Sequence, residues 1–309
     1  MKRLTLILTI LVATASCALS AADAPKRQGW SDDDPLYGNV ESVTITRYSL
    51  KDSSGVLSRS KIEEKYCYNF NQSGDVTEKT EYNSDGSLSW KNTYKYDTKG
   101  NNTEDAWYNS AGLLGKYTFK YDTKGNNTER ATYNSDGSLR EKYIYKYDTK
   151  GNNTETALYK SDGSLDWKFI HKYKYDTKGN NTESATYNSD GSLSCKFIYK
   201  YDTKGNKTES AYYTPSGSLG YKSIYKYDTK GNNTEYAWYN YDGSLREKDI
   251  YKYDTKGNKT EKAKYYSEGS LSRKFIYKYD SQGNITEVTK YDGELRPTSQ
   301  DVYTIIFRK

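Results

Sequence analysis

The sequence predicts an all-β protein, an elongated antiparallel β-meander of hairpin repeats whose sheet is open or curled. Three observations predict it. A unit of about 26 residues that contains two glycine turns recurs along most of the chain. The segments between turns are rich in Tyr, Thr, Ile and Phe, which favour strands. In addition, 36 tyrosines stand at recurring positions in a chain whose hydrophobic fraction is only 34%.

The repeat contains two strands and two turns. One clean copy, NNTERATYNSDGSLREKYIYKYDTKG, spans residues 126–151. The turns DTKGN and NSDGS each predict a type I turn closed by a left-handed glycine, with an Asp that bonds the backbone two residues on. Because every connection is too short for a parallel crossover, the strands must be antiparallel. The DTKG glycine recurs every 25 to 28 residues, at Gly74, Gly100, Gly125, Gly151, Gly179, Gly205, Gly231, Gly257 and Gly283.

The composition is too polar for ordinary globular cores. The mean hydropathy is −1.07, a value typical of disordered chains. Tyrosine opposes disorder, because its ring can be buried while its hydroxyl stays hydrated. The formal charge of +6 comes from 47 basic and 41 acidic residues that are interspersed within each repeat. Nucleic-acid binding would require clustered basic residues, so we expect no nucleic-acid partner.

Simple alternation of side chains predicts one aromatic face and one face of Lys, Ser and Thr. Across the DTKG turn, the aromatic face should hold Leu193, Cys195, Phe197, Tyr199, Tyr201, Glu209, Ala211 and Tyr213. Equivalent tyrosines of successive copies should then form rows along the sheet, where cross-strand pairs stabilise it.

The chain divides into three segments. Residues 1–22 read as a signal peptide, since Lys2 and Arg3 precede a short apolar run. Cleavage at a lipobox would make Cys17 a lipidation site, whereas cleavage after Ala22 would release a soluble protein, and both remain open. Residues 23–36 read as a flexible leader, and residues 37–309 as the repeat domain with a capping strand at each end, 40–49 and 302–307. We predict that the protein is exported and that it is secreted, periplasmic or lipid-anchored at a bacterial cell envelope. We expect no transmembrane span.

The sequence offers no recognisable catalytic or metal site. After signal removal Cys67 and Cys195 remain, five repeats apart, which predicts no disulfide between them. His171 reads as a strand histidine in place of a tyrosine. Metal sites built from His and Cys are excluded by number. We therefore expect no enzyme activity, no catalytic residue, no metal and no cofactor.

The unit resembles the YD repeat of Rhs-type and teneurin-type proteins. The pattern of Gly, spacer and Tyr-x-Tyr-Asp-x-x-Gly is met by Gly191, residues 199–202 and Gly205, and by most other copies between Tyr66 and Gly293. An Asn follows the turn glycine, where the family usually has an aliphatic residue or Arg. The resemblance implies β-hairpins that spiral into a shell, and association with carbohydrate or the cell wall. The half-repeat YNSDGSL also resembles MORN repeat variants.

Two functions of different classes follow. The first is a surface or secreted binding module whose ligand is a glycan, a cell-wall polymer or another surface protein. The residues proposed to contact that ligand are Tyr199, Tyr201, Tyr213, Tyr225, Tyr227 and Tyr239. The second is a structural one, a spacer or adhesin stalk, or the remnant of an Rhs-type shell without its toxin. Self-association through a sheet face or edge is a further expectation. An outer-membrane barrel is disfavoured, because its lipid-facing rows would be rich in Leu and Val.

Overall fold

The repeats form paired strands throughout the part of the chain that the computed structural model describes, which is Arg27 and residues 29–31, 36–54 and 56–309. Twenty strands are described in it: β1 (Val40–Ser53), β2 (Val56–Phe70), β3 (Val76–Asn83), β4 (Leu88–Tyr96), β5 (Asn102–Asn109), β6 (Gly112–Tyr121), β7 (Asn127–Asn134), β8 (Leu139–Tyr147), β9 (Asn153–Lys160), β10 (Leu165–Tyr175), β11 (Asn181–Asn188), β12 (Leu193–Tyr201), β13 (Lys207–Tyr213), β14 (Leu219–Tyr227), β15 (Asn233–Asn240), β16 (Leu245–Tyr253), β17 (Lys259–Tyr266), β18 (Leu271–Tyr279), β19 (Ile285–Asp292) and β20 (Pro297–Phe307). Nowhere in these residues is there a helix long and apolar enough to cross a membrane. The residues of the predicted signal peptide, which include the lipidation candidate Cys17, lie outside the described residues.

The predicted turn chemistry is confirmed. In the first regular DTKG turn, the amide of Gly100 donates to the carbonyl of Asp97 at 3.1 Å, and the glycine has a φ of 85°. The carboxylate of Asp97 accepts from the amide of Lys99 at 2.8 Å and from that of Asn101 at 2.9 Å. A left-handed φ without a steric penalty is the property of glycine that this turn requires. The sequence therefore specifies each hairpin locally.

The sheet closes on itself. Every strand pairs antiparallel with its neighbours in chain order, and β1 pairs with β20 as well as with β2, with Thr46 opposite Val302. The expected elongated sheet, open or curled, is therefore wrong, because the structure is a closed barrel of twenty strands. The right-handed twist of a long antiparallel sheet curls it, and joining the two end strands pairs backbone groups that would otherwise be exposed. Closure also removes the free edges through which self-association was expected.

The seam between β1 and β20 is held by charged side chains. Arg47 of β1 bonds Asp301 of β20 at 2.7 Å and Glu64 of β2 at 2.6 Å. Arg308 donates to the carbonyl of Val40 at 2.8 Å. These contacts join the two ends of the repeat domain, and the two predicted capping strands pair with each other.

Described residues of the leader pack against the same region. The guanidinium of Arg27 donates to the carbonyls of Leu36 and Gly74, each at 3.3 Å. Trp30 lies edge-on to Tyr68, with ring centroids 4.8 Å apart. The cluster of buried apolar side chains at this end consists of Leu36, Val40, Val43, Phe70 and Val76.

A bulge beside each DTKG turn decides which residues share a face. Lys200 pairs with Glu209, but the next pair is Tyr201 with Lys207, so β13 contains one extra residue. The face assignment by simple alternation is therefore wrong beyond the turn. The aromatic face of β12 to β14 contains Phe197, Tyr199, Ser210, Tyr212, Tyr221, Ser223 and Tyr225. The lysine face contains Lys196, Ile198, Lys200, Glu209, Ala211, Tyr213 and Lys222.

The aromatic face lines the inside of the barrel, which we call the lumen. Rings on strands separated by a third strand contact each other there, such as Tyr143 of β8 and Trp167 of β10, with centroids 5.8 Å apart. Such convergence occurs on the concave side of a curved sheet. On the lysine face, by contrast, each Lys of the YKYD segment leaves 63–70% of its side chain exposed. The lysine face is the outer surface.

The lumen is not filled by side chains. A round barrel of twenty strands would be about 35–40 Å across at the backbone, wider than two layers of tyrosine can span. Its aromatic rings are only partly buried, and Phe70 is the one ring that belongs to the buried core of the described chain. The lumen is therefore accessible to solvent.

Candidate functional site

Aromatic side chains form a belt inside the lumen near the turns of NSDGS type, which together we call the SDG rim. The belt comprises Trp90, Trp107, Tyr117, Tyr143, Trp167, Phe197, Tyr212, Tyr221 and Trp238. Tyr212 and Tyr221 stack with centroids 4.9 Å apart and an interplanar angle of 16°. Trp238 meets Tyr221 edge-on at 5.6 Å. The belt thus presents flat rings in several orientations to whatever enters the lumen.

The opposite end of the lumen, at the DTKG rim, contains tyrosines with a structural role. In most copies, the Tyr that precedes the Asp of the DTKG turn donates its hydroxyl to a backbone carbonyl at the start of the preceding strand, whereas Tyr175 donates to the side-chain oxygen of Asn152. Tyr201 bonds the carbonyl of Asn181 at 2.8 Å, and Tyr227 bonds that of Lys207 at 2.9 Å. The same bond is made by Tyr96, Tyr121, Tyr147, Tyr253 and Tyr279. These hydroxyls satisfy carbonyls beside the bulge and stabilise the hairpins.

The six tyrosines proposed as ligand contacts do not share one surface. Tyr199 and Tyr225 line the middle of the lumen, and Tyr201 and Tyr227 lie at the DTKG rim. The other two, Tyr213 and Tyr239, lie on the outer face opposite Lys196 and Lys222. The bulge described above separates these two groups.

Burial changes the protonation chemistry of the lumen tyrosines. It raises the pKa of Tyr225 to about 12, and it raises the pKa of Tyr199 in the same way. Tyr199 also lies within 3.1 Å of the Ser184 hydroxyl. These phenols therefore stay neutral at physiological pH and act as hydrogen-bond donors and acceptors.

Several buried polar atoms of the lumen have no hydrogen-bond partner in the described chain. They are Asp105 Oδ1, Arg130 Nε, Trp238 Nε1 and Asp249 Oδ1. Asp105 lies between Tyr94 and Tyr117 of the adjacent strands, and desolvation raises its pKa to about 6. Each of these atoms is removed from water without gaining a partner in the described chain, which costs free energy in the folded state.

His171 is also a lumen residue. Its two ring nitrogens lie 3.1 Å from the Thr186 hydroxyl and 3.2 Å from the Thr156 hydroxyl, and burial lowers its pKa. The repeat from Gly151 to Gly179 is two residues longer than the usual 26, and this insertion keeps the alternation of faces because two is the period of a strand. Across the described residues, no group of three or more His, Cys, Asp or Glu is arranged to hold a metal ion. Cys67 and Cys195 are both free thiols in the described chain.

The belt was missed because its residues differ from copy to copy, but that variation is itself a signal. In the segment [NK]-T-E-x-A-x-Y the Thr, Glu, Ala and final Tyr recur in seven copies, while both x positions vary. The strand register places both x positions in the lumen. The first x is Asp105, Arg130, Thr156, Ser184, Ser210, Tyr236 and Lys262, and the second is Trp107, Thr132, Leu158, Thr186, Tyr212, Trp238 and Lys264.

The other strand of the repeat shows the same division. In L-x-x-K-x-I-Y-K-Y the Lys and Ile positions face outward, whereas the third and fifth positions face the lumen. The third position is Glu141, Cys195, Tyr221, Glu247 and Arg273 in successive regular copies, and the fifth is Tyr143, Phe197, Ser223, Asp249 and Phe275. We call these four positions the variable lumen positions. The second x and the third position lie nearer the SDG rim, whereas the first x and the fifth position lie near the middle of the lumen, with the first x opposite Tyr199 and Tyr225.

No protein-family model and no curated protein matches the chain. Among solved structures, it is similar to a complex of TcdB2, TccC3 and Cdc42, with 12% identity and a TM-score of 0.33 over 82% of this chain and 16% of that one. It is similar to a porin-like protein from Bacteroides uniformis, with 12% identity and a TM-score of 0.31 over 86% of this chain and 96% of that one. It is also similar to a Tc holotoxin pore of Photorhabdus luminescens, with 12% identity and a TM-score of 0.21 over 81% and 20%. The chain thus spans about a sixth of the first structure, and at TM-scores below 0.5 these similarities place it in no family.

Proposed function

We propose that the protein is an exported binding module whose lumen takes up an extended carbohydrate, such as a segment of a cell-wall polymer. The observation that carries this proposal is the distribution of sequence variation among the repeats. The outer face and the DTKG turns are nearly constant, whereas the variable lumen positions hold almost every class of side chain. Positions that maintain the fold stay constant in a duplicated unit, so variation concentrated on one accessible surface indicates a surface adapted to a ligand.

The chemistry of that surface favours carbohydrate. Sugar rings present apolar C–H faces that pack on aromatic rings, and Tyr212, Tyr221 and Trp238 provide such rings in one patch. Sugar hydroxyls both donate and accept hydrogen bonds. The partly exposed hydroxyl side chains of Ser210 and Tyr236 lie on the same lumen face as these rings and can serve as donors and acceptors. A mostly aromatic site with a few convergent polar groups is the usual composition of a ligand site.

The geometry does not favour the spacer or stalk alternative. A stalk would suit the elongated sheet that the sequence predicted, but the strands of the repeats close into a ring instead. Most of these strands contain seven to eleven residues, which gives a barrel only about 30 Å tall. We propose binding rather than catalysis as the role of the lumen.

Two adjacent residues of β13 allow a matched test. Tyr212 lies in the belt, whereas Tyr213 lies on the outer face under the ammonium of Lys196. Titrations with soluble cell-wall polysaccharide fragments, followed by tryptophan fluorescence, should give a Kd at least about tenfold weaker for Tyr212→Ala and an unchanged Kd for Tyr213→Ala. Equal effects of the two substitutions, or no binding of any fragment by the unsubstituted protein, would overturn the proposal.

A further inference from the structure

Cations inside the lumen differ from those outside in their partners. On the outer face, the lysines of the YKYD segments are paired with glutamates of the next strand at 2.6–3.1 Å, as in Lys200 with Glu209 and Lys226 with Glu235. Inside the lumen, five cations lie over aromatic rings and have no carboxylate within 4.0 Å among the described side chains. They are Lys79, Arg130, Lys207, Arg246 and Lys259.

The ring contacts of these five cations are close. Arg130 lies between Tyr117 and Tyr143, at 5.4 and 4.3 Å from the ring centroids. Arg246 lies 4.1 Å above Trp238, in the belt. A ring holds a cation in place through its quadrupole but does not cancel the charge. Each of these side chains therefore presents a fixed positive charge to the lumen.

Desolvation of the lumen cations is only partly compensated. Burial lowers the pKa of Lys207, whose ammonium lies 5.1 Å from the Tyr199 ring centroid. Burial also lowers the pKa of Lys79, although Glu81 opposes that shift. An anion placed beside such groups would supply the counter-charge that the protein does not.

The acids of the lumen do not balance these charges. Glu64 and Asp301 both form salt bridges with Arg47. Glu247 forms a salt bridge with Lys264 at 2.5 Å, and Asp249 forms one with Lys262 at 3.0 Å. Three further lumen carboxyls have no salt bridge within the described chain, namely Glu81, Asp105 and Glu141. Burial favours the neutral form of Asp105, so the ring-held cations outnumber the remaining carboxylates.

We infer that the ligand of the lumen is an acidic glycan, whose sugar rings pack on the aromatic belt while its carboxylates or other anionic substituents meet the ring-held cations. This inference rests on the proposed function and specifies the charge of the ligand. Nucleic acids are also anionic and stack on aromatic rings. A glycan is favoured because the cations are dispersed among single rings rather than gathered along a continuous basic track.

The test compares how tightly two forms of one polymer bind to the full mature chain. Oligogalacturonates carry a carboxylate on every sugar, and their methyl esters are neutral. In calorimetric titrations at low salt, the acidic form should bind at least about tenfold more tightly, and the difference should shrink as ionic strength rises. Equal binding of both forms would overturn this inference and leave the proposed function intact. If neither form bound, or if oligothymidylate bound in their place, the ligand would not be an acidic glycan and the inference would be overturned.

Matched variants locate the charge. Lysine-to-methionine changes at Lys79, Lys207 and Lys259 remove three lumen cations, whereas the same changes at Lys95, Lys200 and Lys252 remove three outer lysines. With folding of both variants verified by circular dichroism, the lumen variant should lose the preference for the acidic form and the outer variant should retain it. An unchanged preference in the lumen variant, or its loss in the outer variant, would contradict the inference.

Discussion

The hydroxyl of Tyr201 donates a hydrogen bond of 2.8 Å to the backbone carbonyl of Asn181 on the preceding strand. This bond recurs in most copies of the repeat and ties the tip of one hairpin to the next. The second Tyr of the YxYD motif is therefore a structural residue. The ligand-specific part of the repeat lies at the other end of the lumen.

Tyr201→Phe should lower the free energy of unfolding by about 1 kcal/mol, because it leaves the Asn181 carbonyl without its donor. Urea unfolding followed by circular dichroism measures this change. Tyr241→Phe is the control, since the side chain of Tyr241 is 73% exposed in a turn. An equal effect of the two substitutions would show that the hydroxyl of Tyr201 contributes nothing to stability.

Alanine substitutions at two turn glycines should separate backbone strain from packing. Gly191 has a φ of 85° and open space around an added Cβ, so Gly191→Ala should cost only the strain of a left-handed residue, about 1–2 kcal/mol. Gly74 has a φ of 89°, and an added Cβ would collide with the guanidinium of Arg27. Thermal unfolding should therefore show a larger loss for Gly74→Ala. Equal losses would mean that Arg27 does not pack on that turn.

The stability of the protein should respond to the titration of Asp105. Its pKa of about 6 in the folded state lies above the value of about 3.9 in an unfolded chain, so folding takes up a proton between these values. The contribution of this carboxyl is most favourable below about pH 4 and is lost as the pH rises through 6. Asp105→Asn should therefore be more stable than the unsubstituted protein at pH 7.5, by on the order of 1–3 kcal/mol, and equal to it near pH 4.

Urea midpoints at both pH values provide the measurement, and Asp136→Asn provides a control of opposite sign. The Ser138 hydroxyl and amide hold the pKa of Asp136 below its usual value, so its charged form is favoured by folding. The control should lose stability at neutral pH relative to the unsubstituted protein. If Asp105→Asn gave no gain at pH 7.5, the carboxyl would not be desolvated as the structure describes.

The hairpins could be predicted from the sequence because their determinants are local. Glycine spacing, turn chemistry and β-propensity specify each pair of strands, and the bond that the amide of Lys99 donates to the carboxylate of Asp97 is the one that the DTKG pattern predicts. The distribution of side chains between the two faces depended on a subtler feature. Thr208 accommodates the bulge opposite Tyr201, and this single register change moves Tyr213 from the predicted aromatic face to the outer surface.

Closure of the barrel could not be predicted from the local sequence pattern. The contact of Arg47 with Asp301 joins residues that are 254 positions apart, and it depends on the twist summed over all intervening strands. A unit that is nearly the same in every copy contains no residue that signals how many copies complete a turn. The belt was missed for a related reason, since Trp107 and Trp238 stand where the repeat pattern has no preferred residue.

A disulfide across the seam tests the closed barrel, because both the lumen and its belt exist only if β1 pairs with β20. Thr46 and Val302 are directly opposite each other in the register of these strands. In a background with Cys67→Ser and Cys195→Ser, the pair Thr46→Cys and Val302→Cys should oxidise within one chain, since paired strand residues lie within the reach of a disulfide. Mass spectrometry and non-reducing electrophoresis should show a monomeric, cross-linked protein. Two free thiols under oxidising conditions, or cross-linking only between chains, would contradict the closed barrel.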